Sequence, residues 1–553
     1  MTTLVPLDPY TPTELEKLYP PHLELRLVQV LLRHGERAPV SARFQNAGLA
    51  PYWPYCNAAQ RLRSVAYTPE DTSKWDSLQW RRRLERFGED DGPVIAAGPD
   101  GEVDGICQLG ELTDMGRATT YQLGQRFRSL YIDQLKFMPK LIADADMIYL
   151  RATPIPRALE SVQQTFWGMY PLTARTASFP PPTIVTRTPA DETLFPNDSN
   201  CRRFAQLSRA FAQRAADRWN DTDDMAYITN KITKWMPDSS KKVAVDSHPR
   251  LSGIMDTINA TLAHGPQTRL PKEFYDEKLR KSTEKIGVEE WFAGYNENKE
   301  YRTLGMGAQI GDITERMISK VEGARLSVSQ IGGENGKLGT GRGGETGIIF
   351  AMSGCHDTTL GGILSSFGAF TNEPWPPYTS HLAFELFREK NGNYPEQRTE
   401  VPVGLSGPRQ HTKTDSTASS PGWLASMLGL GSPSGHIEQT SAGNTLAGGS
   451  STIKNGIARR PWSELSPKEK QKLDKYYVRI RYNDKVMRIP GCAKLGNHMD
   501  GDESLCTLEA FKRIADSFTP KNWKVECGLN LDQGIVGLDE GTEQWAGQIE
   551  KGF

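Results

Sequence analysis

No apolar run in this 553-residue chain approaches the ~18 residues needed to cross a bilayer, so the sequence offers no membrane span. Net charge is scarce too: 66 Lys and Arg stand against 67 Asp and Glu, a formal −1. Without a global basic field the chain is not expected to bind nucleic acid, and any anion site must be assembled locally. Cysteine is sparse, with seven residues at 56, 107, 201, 355, 492, 506 and 527 and no CxxC pair. An odd, scattered set is expected to be reduced thiols. The opening stretch lacks the charged head and apolar middle of a secretory leader. With Asp8, Glu14 and Glu16 ahead of its first arginine, Arg26, it makes a poor transit peptide as well. A cytoplasmic location is therefore expected, with the mitochondrion second. On that reading the N-x-S/T triplets at Asn197, Asn220 and Asn259 are chance matches. HExxH, EF-hand and CxxxxxR patterns are also missing, so neither a metal nor a thiolate is expected to carry chemistry.

What is present begins at "LVQVLLRHGERAPV", Leu27 to Val40. An apolar, β-branched run of this kind reads as a buried strand. It stops at Arg33-His34-Gly35-Glu36-Arg37, two arginines flanking a histidine. A second short strand, Met147 to Leu150, stops at Arg151, and a helix follows from about Pro156. Asp144 and Asp146 ahead of that strand read as a polar turn. A third strand, 347–354, ends at Cys355-His356-Asp357. Two more are expected at 380–389 and 475–486. The segment 112–132 reads as a helix, with Leu123, Phe127 and Leu130 at helical spacing.

The length exceeds one ordinary core, so several lobes are expected. An α/β core is expected in three parts, 24–186 (with an irregular, loop-rich insert at 41–105), 346–389 and 475–530. The block 187–320 reads as an inserted helical cap. Residues 403–457, dominated by Ser, Gly, Thr and Pro, are expected to be disordered, with "WLASMLGLG" (423–431) as a stray apolar island. The glycine-rich 331–347 fails the phosphate-loop pattern, since Lys337 is followed by Leu, and reads as a connector.

Ligands of open α/β sheets bind outside the carboxyl ends of the strands. Three strands ending in Arg33-His34-Arg37, Arg151 and His356-Asp357 are therefore expected to meet there. Arginine offers planar paired donors that match phosphate oxygens, so Arg33, Arg37 and Arg151, with His356, form a candidate phosphate cradle. A neutral imidazole beside a bound phosphate is a competent nucleophile, which is the role expected of His34. Asp357 is placed to return a proton to the leaving oxygen.

These motifs carry a family resemblance. "LLRHGERAP" and "SGCHDTTLGGIL" resemble the two signatures of the histidine acid phosphatases, branch 2 of the histidine phosphatase superfamily. "YLRATPIPRALESVQQTFWGMYP" is similar to the segment holding that family's third phosphate-binding arginine. The resemblance implies a phosphoglycerate-mutase-like three-layer α/β domain with a helical cap. It also implies hydrolysis of small phosphate monoesters through a phosphohistidine on His34, with Asp357 as acid and no cofactor or metal. A mutase or phosphotransferase of the same superfamily, or an inactive phosphate-binding scaffold, are the alternatives. His356 followed by Asp357 favours hydrolysis. The motifs leave open the physiological monoester and the oligomeric state.

Overall fold

The computed structural model describes residues 2–5, 7–67, 75–323, 347–390, 457–535 and 545–549. The low-complexity stretch, the apolar island and nearly all of the glycine-rich connector lie outside these residues. The described residues belong to one compact unit.

Its centre is a mixed sheet. The strands are β1 (Leu23–Arg33), β6 (Ile148–Ala152), β7 (Ile184–Val185), β8 (Phe350–Cys355), β9 (His381–Glu389), β10 (Tyr476–Tyr482), β11 (Lys485–Met487), β12 (His498–Met499) and β13 (Asp502–Thr507). The order is β12-β13-β10-β9-β1-β8-β6-β7, with β11 beside β10. β1, β8, β6 and β7 run parallel, whereas β9 returns antiparallel on the other side of β1. The expected fifth strand is in fact a hairpin. Asn483 and Asp484 take positive φ (49° and 68°) between β10 and β11, the backbone that a tight two-residue hairpin turn requires.

β1 is buried on both faces, which is why its sequence is almost uninterruptedly apolar. Val28, Val30 and Leu32 pack with α2 (Asp114–Phe127) and α3 (Pro156–Met169), while Leu27 and Leu31 face the opposite core. That core includes α9 (Ala308–Glu322) and α10 (Asp357–Ser366). The result is three layers, helix on sheet on helix. Gln29, the one polar residue within this run, donates to Ile313 O at 2.9 Å and accepts from Arg316 Nη1 at 2.6 Å. Asp144 caps a short turn before β6, accepting from Asp146 N at 2.8 Å.

Between β7 and β8 the described residues form the helices α4 (Arg202–Trp219), α5 (Asp223–Ile232), α6 (Leu251–Ala263), α7 (Glu277–Glu297), α8 (Lys299–Arg302) and α9. Parts of α4 to α7 enclose a second core. The described residues of 41–105 are more ordered than the composition of that segment suggests. Phe44, Leu49, Trp53 and Cys56 complete that second core, and two hairpins, β2/β3 (Leu62–Tyr67, Trp75–Trp80) and β4/β5 (Glu85–Phe87, Pro93–Ile95), project from it. Val65, Leu78, Trp80 and Phe87 on these hairpins are exposed. With few of their side chains buried, they lack the alternation by which strands are read.

The thiol expectation is overturned. Cys56 pairs with Cys107, Cys201 with Cys527 and Cys492 with Cys506, leaving Cys355 free and buried. The partners are 51, 326 and 14 residues apart; folding alone brings them together, and spacing gives no sign of it. Among the described residues no helix is long and apolar enough to cross a membrane.

Candidate active site

In the parallel trio β1-β8-β6 the strand ends are level: Arg33 is opposite Cys355, and Ala152 is opposite Gly354. The residues after each strand therefore emerge at one edge of the sheet, where the strand direction changes between β1 and β9.

Five of the six expected residues meet there: Arg33, His34, Arg37 and His356 are buried, and Asp357 is partly exposed. Arg33 Nη2 lies 2.7 Å from Asp357 Oδ2, and its Nη1 donates to Pro376 O at 2.5 Å. The Arg33 guanidinium is stacked 4.2 Å from the centre of the Tyr378 ring, a cation–π contact. Arg37 Nη2 pairs with Asp256 Oδ1 of α6 at 2.7 Å. The His34 and His356 rings are 5.6 Å apart, and His356 Nε2 is 3.1 Å from Thr153 Oγ1.

His34 is held in one tautomer. Its Nδ1 lies 2.9 Å from Gly35 O; a carbonyl only accepts, so Nδ1 carries the proton and Nε2 keeps its lone pair. Burial comes first, then the guanidiniums of Arg157, Arg33 and Arg37 and the ring of His356, in holding the imidazole well below the usual histidine range. The same surroundings, with Asp357 opposing, hold His356 low. For Asp357 burial works the other way and raises the carboxyl. Arg33, then Arg37, His356 and the Trp375 N–H outweigh it and leave the group below the ordinary aspartate value.

The tight turn after His34 depends on Gly35. A Cβ there would come 2.3 Å from Gly116 O in α2, so only glycine lets helix and loop meet. Gly35 N also donates to Ser161 Oγ of α3 at 3.1 Å.

Arg151 is the sixth expected residue, and the structure places it elsewhere. Its Nη2 is 2.6 Å from Glu192 Oε1, and its Nη1 is 3.0 Å from Gln309 Oε1 and 3.4 Å from Asp312 Oδ2. Successive strand side chains alternate faces: Leu150 and Ala152 pack with α2 and α3, so Arg151 faces α9. The third guanidinium at the strand ends belongs to Arg157. Pro156 opens α3 and fixes the first helical turn. Helical side chains lean towards the N-terminus, which carries Arg157 back over the strand edge. Burial and the like charge of Arg37 push its guanidinium down to about 10. Among the described residues, Nε of Arg33, Arg37 and Arg157 are each buried without a hydrogen-bond partner.

A cavity of about 470 Å³ opens over this cluster, lined by Arg33, Arg37, Asp357 and Tyr378 below and by Arg43, Asp256, Asn259, Trp291 and Trp375 around it. Asp256, Trp375 and Tyr378 join Arg157 as site residues that the sequence did not single out. Among the described residues no group of three or more His, Cys, Asp or Glu is placed to hold a metal ion.

The chain belongs to the histidine phosphatase superfamily, branch 2, whose family model matches residues 24–401. A Schizosaccharomyces pombe protein named "Probable acid phosphatase" is 33% identical over 509 residues, covering 92% of this chain and 95% of its own. Lysophosphatidic acid phosphatase type 6 of Homo sapiens is 23% identical over 374 residues, 66% of this chain and 74% of its own. Among solved structures, a phytase from Hafnia alvei superposes with a TM-score of 0.48 at 11% identity, covering 91% of this chain and 99% of that one.

Proposed function

We propose that this chain hydrolyses phosphate monoesters through a covalent phosphohistidine. The observation that carries the reading is His34 itself: a buried, neutral imidazole with a free Nε2, set among the guanidiniums of Arg33, Arg37 and Arg157.

In this mechanism the three arginines and His356 take the phosphoryl oxygens. Nε2 of His34 attacks phosphorus while the bond to the ester oxygen breaks. Asp357 gives its proton to that oxygen, and the alcohol leaves. The phosphoryl group competes with Asp357 for Arg33, and a carboxyl that loses a cationic partner gains proton affinity. Binding thus readies the acid. Asp357, now ionised, takes a proton from a water that attacks phosphorus. The N–P bond breaks, His34 returns to its neutral state and inorganic phosphate is released. The transition-state charge falls on preorganised N–H donors, the arrangement that contributes most in phosphoryl transfer.

The three disulfides favour an oxidising compartment over the cytoplasm expected from the sequence. The test of the main reading is turnover of p-nitrophenyl phosphate by wild type and His34→Ala. Activity that survives the substitution overturns the nucleophile, and a wild type that binds phosphate without turnover is a scaffold. A panel of lysophosphatidate, phytate and sugar phosphates then ranks the leaving groups.

A further inference from the structure

One indole links the inserted helices to the catalytic carboxyl. Trp375, in the segment between α10 and β9, donates from Nε1 to Asp357 Oδ2 at 3.1 Å. That oxygen is shared with Arg33 Nη2 at 2.7 Å, and Oδ1 takes the backbone N–H of Thr358 at 2.8 Å. The Trp375 ring is buried against α7, with centroids 5.1 Å from Phe292 and 6.3 Å from Trp291. Its backbone N–H donates to Glu284 Oε1, also on α7, at 3.1 Å.

We propose that Trp375 is a positioning residue for the reaction: its indole N–H holds Asp357 in the orientation that delivers the proton, and the Glu284 contact ties that orientation to α7. The inference rests on the reading of Asp357 as proton donor. Arg33 serves two anions in turn, first the Asp357 carboxylate and then the phosphoryl group. Once Arg33 turns to substrate, the side chain that still fixes Asp357 is Trp375. Pro376, the next residue, holds Arg33 by its carbonyl, so one short segment sets both partners. An indole N–H only donates, so it steadies an oxygen that accepts and favours the ionised carboxyl. The other charged or titratable groups around Asp357 include Arg33, Arg37, Arg157, His356, Cys355 and Tyr378. All of them are retained when Trp375 alone is changed.

Trp375→Phe keeps a ring against Phe292 and Trp291 and deletes the donor. Its kcat and KM are measured against pH on an alkyl phosphate and on p-nitrophenyl phosphate, beside wild type, Asp357→Asn and Glu284→Ala. The expected result is KM within about twofold and kcat on the alkyl ester down roughly tenfold, with a smaller loss on the aryl ester. The alkaline limb of kcat, where the acid loses its proton, moves up by about one pH unit, because a donor to the ionised form is gone. Glu284→Ala shifts both readouts the same way by less. If Asp357→Asn discriminates between the esters while Trp375→Phe loses equally on both with an unmoved limb, Trp375 merely packs and the proposal is overturned. An unmoved Glu284→Ala overturns the tie to α7. If Asp357→Asn itself loses equally on both esters, the proton-donor reading has failed, and the positioning role with it.

Discussion

Arg151 and Arg157 lie six residues apart, and the structure gives them opposite work, so exchanging their losses is a sharp perturbation. Arg157→Gln removes one of three guanidiniums from the strand edge. Even pushed down to about 10, Arg157 keeps its charge at neutral and acid pH. Deleting one preorganised donor to a developing oxyanion costs about 10²–10³-fold, or 2.7–4 kcal/mol of barrier. Stability should change little, because this side chain makes a 3.4 Å contact to Gly110 O and its attraction to Asp357 and Asp256 is opposed by burial and by repulsion from Arg37 and Arg33. Arg151→Met does the reverse. It leaves the Glu192 carboxylate fully buried, keeping, among the described residues, the Thr193 and Leu194 N–H groups at 2.7 Å as hydrogen-bond partners and the more distant charge of Arg187. Breaking a buried pair from one side costs about 3–5 kcal/mol of folding free energy, which should lower Tm by several degrees. kcat/KM per folded molecule should stay near wild type. The assay pairs kcat/KM on p-nitrophenyl phosphate with thermal melts of the same preparations. A hundredfold catalytic loss in Arg151→Met with an unchanged melt, together with a mild Arg157→Gln, would refute the assignment.

Further outcomes follow from the described surroundings. Because His34 and His356 are held well below the ordinary imidazole value, the acid limb of kcat/KM set by these imidazoles of the free protein should fall clearly below pH ~6.5; a histidine limb at 6.5 contradicts it. Stability should be lost as pH falls in two stages, from about 6.5 as unfolded imidazoles protonate and from about 4 as unfolded counterparts of Asp357, Glu385 and Asp484 do. Titration of the unfolded, unreduced chain with a thiol reagent should find one free cysteine, Cys355, among the seven; seven reactive thiols would remove the disulfides from the account. The double variant Cys201→Ser, Cys527→Ser should lose roughly 3–5 kcal/mol of stability, seen as a lower Tm that reduction of wild type approaches.

The parts of the fold legible in the sequence are those with strong local signals. β1, β8 and β9 announce themselves by long apolar runs, and α3 by Pro156 at its first position. Arg33, His34, Arg37, His356 and Asp357 could be grouped because each lies at or just past the end of a strand, and parallel neighbours bring such ends level. Arg151 was drawn into the group by the same logic. It fails because a residue within a strand must point to one face or the other, and its face is that of α9. The signal for Arg157 was present, a proline-started helix one residue before it, but weighing that signal requires knowing where the helix axis points. Asp256 and Trp375 come from segments with no motif and reach the site only through tertiary packing. The disulfides are hidden for the same reason: Cys201 and Cys527 meet across a sequence separation of 326.

The bond between His34 Nε2 and phosphorus is the central step of the proposed mechanism. Wild type is mixed with a rapidly turning-over aryl phosphate, quenched within milliseconds in alkaline denaturant that preserves phosphoramidates, digested and sequenced by mass spectrometry. The expected result is a phosphoryl group on the peptide containing "LLRHGER", localised to His34. It should accumulate further in a variant such as Asp357→Asn, whose water attack lacks its base, and be absent from His34→Ala. An unmodified His34 in a preparation that turns over normally, or a phosphoryl group on another residue, would contradict the mechanism proposed for this site.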